Sequence, residues 1–147
     1  MRALIQRVSQ ANVKIDEKII SEIKQGLLVL VCAMADDTEI EAEQMASKIS
    51  KIRIFNDENG KMNKSIKDIN GEALVVSQFT LAADTSRGNR PGFSYAAHPE
   101  KGEKLYEYFT KKLQETDINC KMGVFGGDMM VSLINDGPTT IWLDNKD

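Results

Sequence analysis

The chain holds a single histidine, His98, and only two cysteines, three prolines and one tryptophan. One imidazole excludes every mechanism that needs two or three. Cys32 and Cys120 lie far apart and match no zinc-ligand spacing, so neither a metal centre nor a disulfide framework is expected, and the pattern fits a reducing cytoplasm. There is no run of about 18 apolar residues, and the first ten residues already carry Arg2 and Arg7 inside an apolar alternation; neither a membrane span nor a signal peptide is expected. Basic charge is not in excess: 19 Lys and Arg stand against 22 Asp and Glu, a formal net charge of −3. A protein that grips nucleic acid along a phosphate track is usually strongly basic. RNA binding is left only through local basic groups and recognition of a small feature such as a strand end, and no DNA partner is expected. Repeats, low-complexity tracts and Pro/Gly/Ser-rich linkers are absent too, so residues 1–147 read as one domain. A chain of this size buries roughly two thirds of its unfolded surface, enough for a core without staples.

What is present is mostly strand. Residues 2–15 alternate apolar and polar with many β-branched side chains, which predicts a strand, bent near Ser9. Asp16-Glu17-Lys18 is a polar turn into a second strand, Ile19 to Ile23. Leu27-Leu28-Val29-Leu30-Val31-Cys32 is a continuous apolar run, the pattern of a strand covered on both faces. Asp36-Asp37-Thr38 offers helix caps with Glu41 in capping-box register, and Ile40, Ala42, Met45, Ala46, Ile49 and Ile52 recur at helical spacing. Short strands are predicted at Ile52 to Phe55 and Ala73 to Phe79, with turns at Asn59-Gly60 and Asn70-Gly71. A polar loop spans Asp84 to Gly92, and a second helix runs from about Pro99 to Glu115. Strands at Asn119 to Met122, Asp128 to Ile134 and Thr139 to Leu143 complete the chain, the last two separated by a turn at Asn135-Asp136-Gly137-Pro138. The fold class expected is α+β: a mainly antiparallel, strongly curved sheet or barrel with both helices on one side. Edge strands of so small a sheet need covering, and pairing two copies is a common solution.

Three segments carry candidate chemistry. At Ser77-Gln78-Phe79-Thr80-Leu81 an apolar strand turns polar. Such an end either presents hydroxyls and backbone N–H groups to a ligand, or merely terminates the strand through local hydrogen bonds. Asn135-Asp136-Gly137-Pro138 reads most simply as a chain reversal, although a Gly-Pro bond also fixes the directions of two consecutive carbonyls. The loop Thr85-Ser86-Arg87-Gly88-Asn89-Arg90-Pro91-Gly92-Phe93 either clasps phosphate through Arg87 and Arg90 or is solvated. His98 reads as a helix-start residue, Phe125 and Met129 as core, and Cys32 as an inert buried thiol. No general-base pair, nucleophile elbow or phosphate loop of recognised spacing is present. If the chain is an enzyme, its reaction is one that positioning can drive.

Ala3-Leu4-Ile5-Gln6-Arg7-Val8, Gly60-Lys61-Met62-Asn63, Ser77-Gln78-Phe79-Thr80-Leu81-Ala82-Ala83-Asp84 and Asn135-Asp136-Gly137-Pro138 together resemble the D-aminoacyl-tRNA deacylase family, in order along the chain. One departure is Thr139, where bacterial members commonly carry valine, a β-branched residue of similar size. The resemblance implies a homodimer with active sites at the subunit interface. In it Ser77, Gln78, Phe79 and Thr80 line a pocket for the 3′-terminal aminoacyl-adenosine of tRNA, and a cis Gly137-Pro138 pair reaches in from the partner subunit. It further implies that Arg7 holds the Gly-Pro turn and that Phe125 and Met129 lie near the adenosine or the pocket wall. The implied activity is hydrolysis of the ester joining a D-amino acid, or mischarged glycine, to tRNA, with L-aminoacyl-tRNA excluded sterically and no cofactor required. An activated ester with a neighbouring 2′-hydroxyl needs mainly orientation and oxyanion stabilisation, which accommodates the lone histidine. Thr80 as a covalent nucleophile is the competing mechanism, without an evident base. A non-catalytic module that binds an RNA 3′ end or a small ligand is the alternative function. A peptidase or simple esterase is disfavoured because no plausible Ser-His-Asp set is available.

Overall fold

The computed structural model describes residues 1–146. Strand β1 (Arg2–Ile15) is the spine of a six-stranded sheet. On one side it pairs antiparallel with β2 (Lys18–Ile23) and β3 (Gly26–Cys32). The register runs unbroken from Val13↔Ser21 and Ala11↔Ile23 to Val8↔Gly26 and Arg2↔Cys32, so β2 and β3 are two pieces of one hairpin arm, interrupted at Lys24 and Gln25. Asp16 and Glu17 both take positive φ, 50° and 66°, which gives the hairpin the twist its strands require. Strand β4 (Phe55–Asn56) pairs with β5 (Met62–Lys64) in a separate ribbon. Strand β6 (Glu72–Ser77) lies parallel on β3, and β7 (Asn119–Met122) parallel on β6. The second flank of β1 carries β8 (Met130–Asp144) along nearly its whole length.

The sheet is therefore mixed rather than mainly antiparallel. Helix α1 (Glu39–Lys51) stands between β3 and β6, and α2 (Pro99–Gln114) between β6 and β7. A connection containing a helix is long enough to cross over and return the chain parallel, which a two-residue turn cannot do. The α+β class, the curved barrel-like sheet and the placement of both helices on one side hold. Alternate residues of β3 serve two cores. Leu27, Val29 and Val31 join Ala3, Ile5, Ala73 and Val75 beneath Met45 and Ile49 of α1 and Phe109 and Leu113 of α2. Leu28, facing the other way, joins Val8, Ala11, Val13, Ile23, Leu74 and Val76 within the curve of the sheet. Each buried Val, Leu, Ile, Met or Phe among them contributes about 1.5–3 kcal/mol by leaving water.

Local signals set the helix ends. Thr38 Oγ1 accepts the Ile40 N–H at 3.2 Å, and the Glu41 carboxylate accepts the Thr38 N–H at 2.7 Å, closing the capping box. The Thr38 hydroxyl, which donates to the same carboxylate at 2.7 Å, the Thr38 N–H and the Lys146 ammonium hold the Glu41 carboxyl down to about 2. Just before this cap the Met1 ammonium is buried against Asp37 at 2.8 Å.

Three local expectations are corrected. Ile52 caps α1 and the strand begins only at Phe55. The strand read as Ala73 to Phe79 ends at Ser77, and Phe79–Ala82 form a 3₁₀ turn. The segment at Gly137-Pro138 does not reverse the chain. Gln6 faces Thr140 and Val8 faces Asn135, so residues 136–139 loop out of a continuous β8 opposite Arg7. Ser9 is a bulge in β1 beside them, at the bend anticipated there. The paired bulges let one end of β8 direct Val131 and Leu133 to the inner core and the other direct Ile141 and Leu143 to the helix-side core.

Candidate functional site

A cavity of about 700 Å³ opens where β6 ends, walled by the 3₁₀ turn, residues 93–99 and residues 125–131. Its geometry follows from how β6 stops. Ser77 is the last residue paired with β3, and Gln78 gives a final hydrogen bond from its N–H to Val31 O at 2.8 Å. The chain then tightens: Leu81 N–H donates to Gln78 O at 3.2 Å and Ala83 N–H to Thr80 O at 3.1 Å. The N–H groups of Phe79 and Thr80 precede the first of these bonds, so the turn itself offers them no acceptor. Arg2 fixes the turn from behind. Its Nη1 donates to Leu81 O at 2.8 Å while its Nε meets Asp144 Oδ2 at 3.1 Å. The Cys32 thiol sits 3.6 Å from Phe79 O, and burial pushes it up to about 11, which keeps it protonated and unreactive at neutral pH.

Side chains complete the walls. Phe79, 56% exposed, meets the Phe93 ring edge-on at 5.1 Å between centroids. Phe125 leans on Tyr106 at 6.0 Å, and Tyr106 Oη donates to Val75 O at 2.8 Å inside the core, its ionisation pushed up by burial. A Cβ added at Gly102 would lie 3.5 Å from the Phe125 ring, ordinary van der Waals contact, so the ring packs directly on the first turn of α2. Met129 reaches back across Gly123, and its sulfur accepts the Val124 N–H at 3.4 Å. Gln78 Nε2 donates to Thr80 Oγ1 at 2.6 Å; no imidazole or carboxylate bonds to that hydroxyl among the described residues. The cavity thus gathers Ser77, Gln78, Phe79, Phe125 and Met129, with Thr80 on the exposed side of the same turn.

Arg7, Gly137 and Pro138 form a separate cluster and do not line this cavity within one chain. Arg7 is buried, with Nη1 on Ile54 O at 2.6 Å and Nε on Asp136 O at 3.1 Å. Asn135 ties the neck of the loop, its Nδ2 donating to Arg7 O and Thr139 O at 3.0 Å each. The Gly137–Pro138 peptide is cis and exposed at the tip. Gly137 has φ +116°, and a Cβ there would stand 2.5 Å from Arg7 Nη2, which explains the glycine.

Sequence reading missed Phe93, His98 and Asp128 as lining residues. His98 is the N-cap of α2, as its position beside Pro99 predicts, but it also faces the cavity. The available signal was the run of small and aromatic residues from Phe93 to Ala97 just before a helix, which leaves backbone near a ligand-sized space. Among the described residues no group of three or more His, Cys, Asp or Glu side chains converges to hold a metal ion. No helix among them is long and apolar enough to cross a membrane.

The whole chain is similar to known proteins. A D-aminoacyl-tRNA deacylase from Ruegeria pomeroyi is 60% identical over 144 residues, spanning 98% of this chain and 99% of its own. One from Thermotoga petrophila is 55% identical over 146 residues, or 99% and 98% of the two chains. Among solved structures, a c-Myc DNA unwinding element binding protein superposes with a TM-score of 0.93 at 41% identity, covering 98% of both chains. A probable eukaryotic D-amino acid tRNA deacylase shares the fold, with a TM-score of 0.85 at 15% identity and 97% coverage of each. The family model for D-Tyr-tRNA(Tyr) deacylase matches residues 4–144, and on that match and those identities the chain belongs to the D-Tyr-tRNA(Tyr) deacylase family.

Proposed function

We propose that the protein hydrolyses the ester between a D-amino acid, or mischarged glycine, and the 3′-terminal adenosine of tRNA. The observation that carries this reading is the pair of uncommitted N–H groups, Phe79 and Thr80, on a fixed turn beside the cavity, in a chain of a deacylase family. Water, assisted by the substrate's own 2′-hydroxyl, adds to the acyl carbon. The carbonyl oxygen becomes an oxyanion that accepts hydrogen bonds from the Phe79 and Thr80 amides. The bond from the acyl carbon to the ribose 3′-oxygen then breaks, and that oxygen takes the proton. Amides held by Arg2 and by the end of β6 need no reorganisation as charge develops, and one such donor is worth about 2.7–4 kcal/mol of barrier. Ser77 and Gln78 shape the entrance, with Gln78 fixing the Thr80 hydroxyl. Phe125 and Met129 supply the apolar wall for adenine or ribose.

Chirality is sorted in a homodimer. β8 presents a 15-residue outer edge carrying exposed Met130, Ile134 and Trp142, a surface suited to a second copy. In that pairing the Gly137-Pro138 loop of one protomer, braced by Arg7, enters the cavity of the other. Its main-chain carbonyls hold the substrate's amino group and leave no volume where an L side chain would project. Glycine, with nothing to clash, passes the same wall. The name of one structural relative refers to DNA, but a net charge of −3 offers no basic track for a duplex.

Hydrolysis of D-Tyr-tRNA, Gly-tRNA and L-Tyr-tRNA with EDTA present tests the proposal. Release of D-tyrosine and glycine with L-Tyr-tRNA spared supports it. Binding of all three without release identifies a non-catalytic RNA-end module instead, and equal rates on the two tyrosyl enantiomers remove the steric wall.

A further inference from the structure

The cavity has the wrong charge for the phosphates of its proposed substrate. Its lining contains no lysine or arginine, and its one carboxylate, Asp128, repels anions. Lys101, in the first turn of α2, is engaged elsewhere, its Nζ donating to Ala35 O at 2.6 Å. A strand end whose terminal nucleoside enters here must find its cationic contacts on the rim.

The rim has one built element of that kind. Residues 84–92 form a hairpin closed by two hydrogen bonds between Asp84 and Gly92, at 2.7 and 2.9 Å. Gly88 turns the tip with φ +68°. The Asp84 carboxylate is occupied within the hairpin, accepting the Ser86 N–H at 3.0 Å and hydroxyl at 2.6 Å, and those donors hold its pKa below the ordinary carboxylate value. The hairpin is joined to the cavity wall at its base, because the next residue after Gly92 is Phe93, packed on Phe79. Arg87 and Arg90 flank the tip, both exposed and both without an ion-pair partner among the described residues.

We infer that Arg87 and Arg90 form a phosphate clasp for the single-stranded 3′ end of the tRNA, gripping the phosphodiesters that precede the terminal adenosine. This rests on the function proposed above. Arg90 stands only three residues before Phe93 in the cavity wall, a chain reach of at most about 10 Å, and stacked nucleotides advance about 3.4 Å each, so the loop lies beside roughly the first three of them. Guanidinium groups are well matched to phosphodiesters, because they stay charged and present paired donors to phosphate oxygens. The clasp reads no base. Its contribution is affinity and register, which lets a small acidic protein bind a polyanion without a basic face.

The test compares Arg87→Ala/Arg90→Ala and Arg87→Lys/Arg90→Lys with the unaltered protein on two substrates, D-Tyr-tRNA and the D-tyrosyl ester of adenosine. Each phosphate contact to a single strand adds about 0.7 to the slope of log affinity on log salt. Between about 50 and 200 mM salt, two contacts therefore amount to a roughly sevenfold difference. The expected result is that KM for D-Tyr-tRNA climbs about sevenfold more steeply with salt in the unaltered protein than in the alanine variant, and that the lysine variant recovers most of the slope. The alanine variant should also lose more kcat/KM on D-Tyr-tRNA than on the adenosine ester. Equal salt slopes, or equal losses on the two substrates, overturn the clasp. Failure of the unaltered protein to hydrolyse either substrate overturns the deacylase reading instead, so the two failures are distinguishable.

Discussion

Gly137→Ala tests the loop at residues 136–139 directly. At φ +116° an alanine bears backbone strain of about 1–3 kcal/mol. Its Cβ would also stand 2.5 Å from Arg7 Nη2, 2.9 Å from Thr139 Oγ1 and 3.1 Å from Thr139 N. Moving Arg7 aside loses a charge-assisted bond to Asp136 O or Ile54 O, about 1.5–3 kcal/mol. Together these cost about 2.5–6 kcal/mol if the loop keeps its shape. The tip is exposed and packs on no core, so the less costly response is for residues 136–139 to shift while the sheet persists. A wall displaced by even a fraction of an ångström admits what it excluded. The ratio of kcat/KM for L-Tyr-tRNA to that for D-Tyr-tRNA should rise at least about tenfold, equivalent to 1.4 kcal/mol of discrimination. Urea unfolding run in parallel should show a loss smaller than the full strain. An unchanged ratio in a variant whose unfolding free energy has dropped refutes the assignment of chiral selection to this loop.

Thr80→Ala removes a hydroxyl bonded to Gln78 but neither main-chain amide, so single-turnover hydrolysis of D-Tyr-tRNA should stay within about tenfold of the unaltered rate; complete loss with tRNA binding intact makes Thr80 a nucleophile. Glu41 has a carboxyl held at about 2, below its ordinary 4.5, so the folded chain binds fewer protons there than the unfolded chain. Its stabilising contribution is present in full above about pH 4.5 and drains away as pH falls toward 2. Glu41→Gln should flatten the acid limb of a stability profile over that window, and a limb as steep as before contradicts the capping-box account.

Much of this architecture is written in local pattern. The alternation at residues 2–15, the apolar run at residues 27–32 and the Thr38–Glu41 spacing each specify one element, because each depends on neighbours within a few residues. The sheet's mixed direction depends instead on order: a strand, a helix and a strand occur twice in succession, and weighing that succession would have indicated parallel crossovers. The end of β6 was hidden because Phe79 continues a strand-like composition, whereas the turn is set by Arg2 from the far side of the chain. At Asn135 to Pro138 every residue type favours a reversal, yet β1 pairs with both flanks of β8, and pairing along so long a strand overrides local turn preference. The candidate cavity was half legible. Ser77, Gln78 and Phe79 announce themselves by breaking an apolar run, while His98 and Asp128 arrive from segments whose proximity only the folded chain creates.

The donors proposed on the 3₁₀ turn are amides, and an amide is supplied by nineteen of the twenty encoded amino acids. Codon changes at positions 79 and 80 can therefore drift widely, altering bulk and polarity at the entrance, without deleting either hydrogen. Only proline removes one outright. Such a site is insulated from point mutation to a degree that no arrangement of catalytic side chains can match, and its vulnerability lies elsewhere, in the distant residues that keep the turn wound.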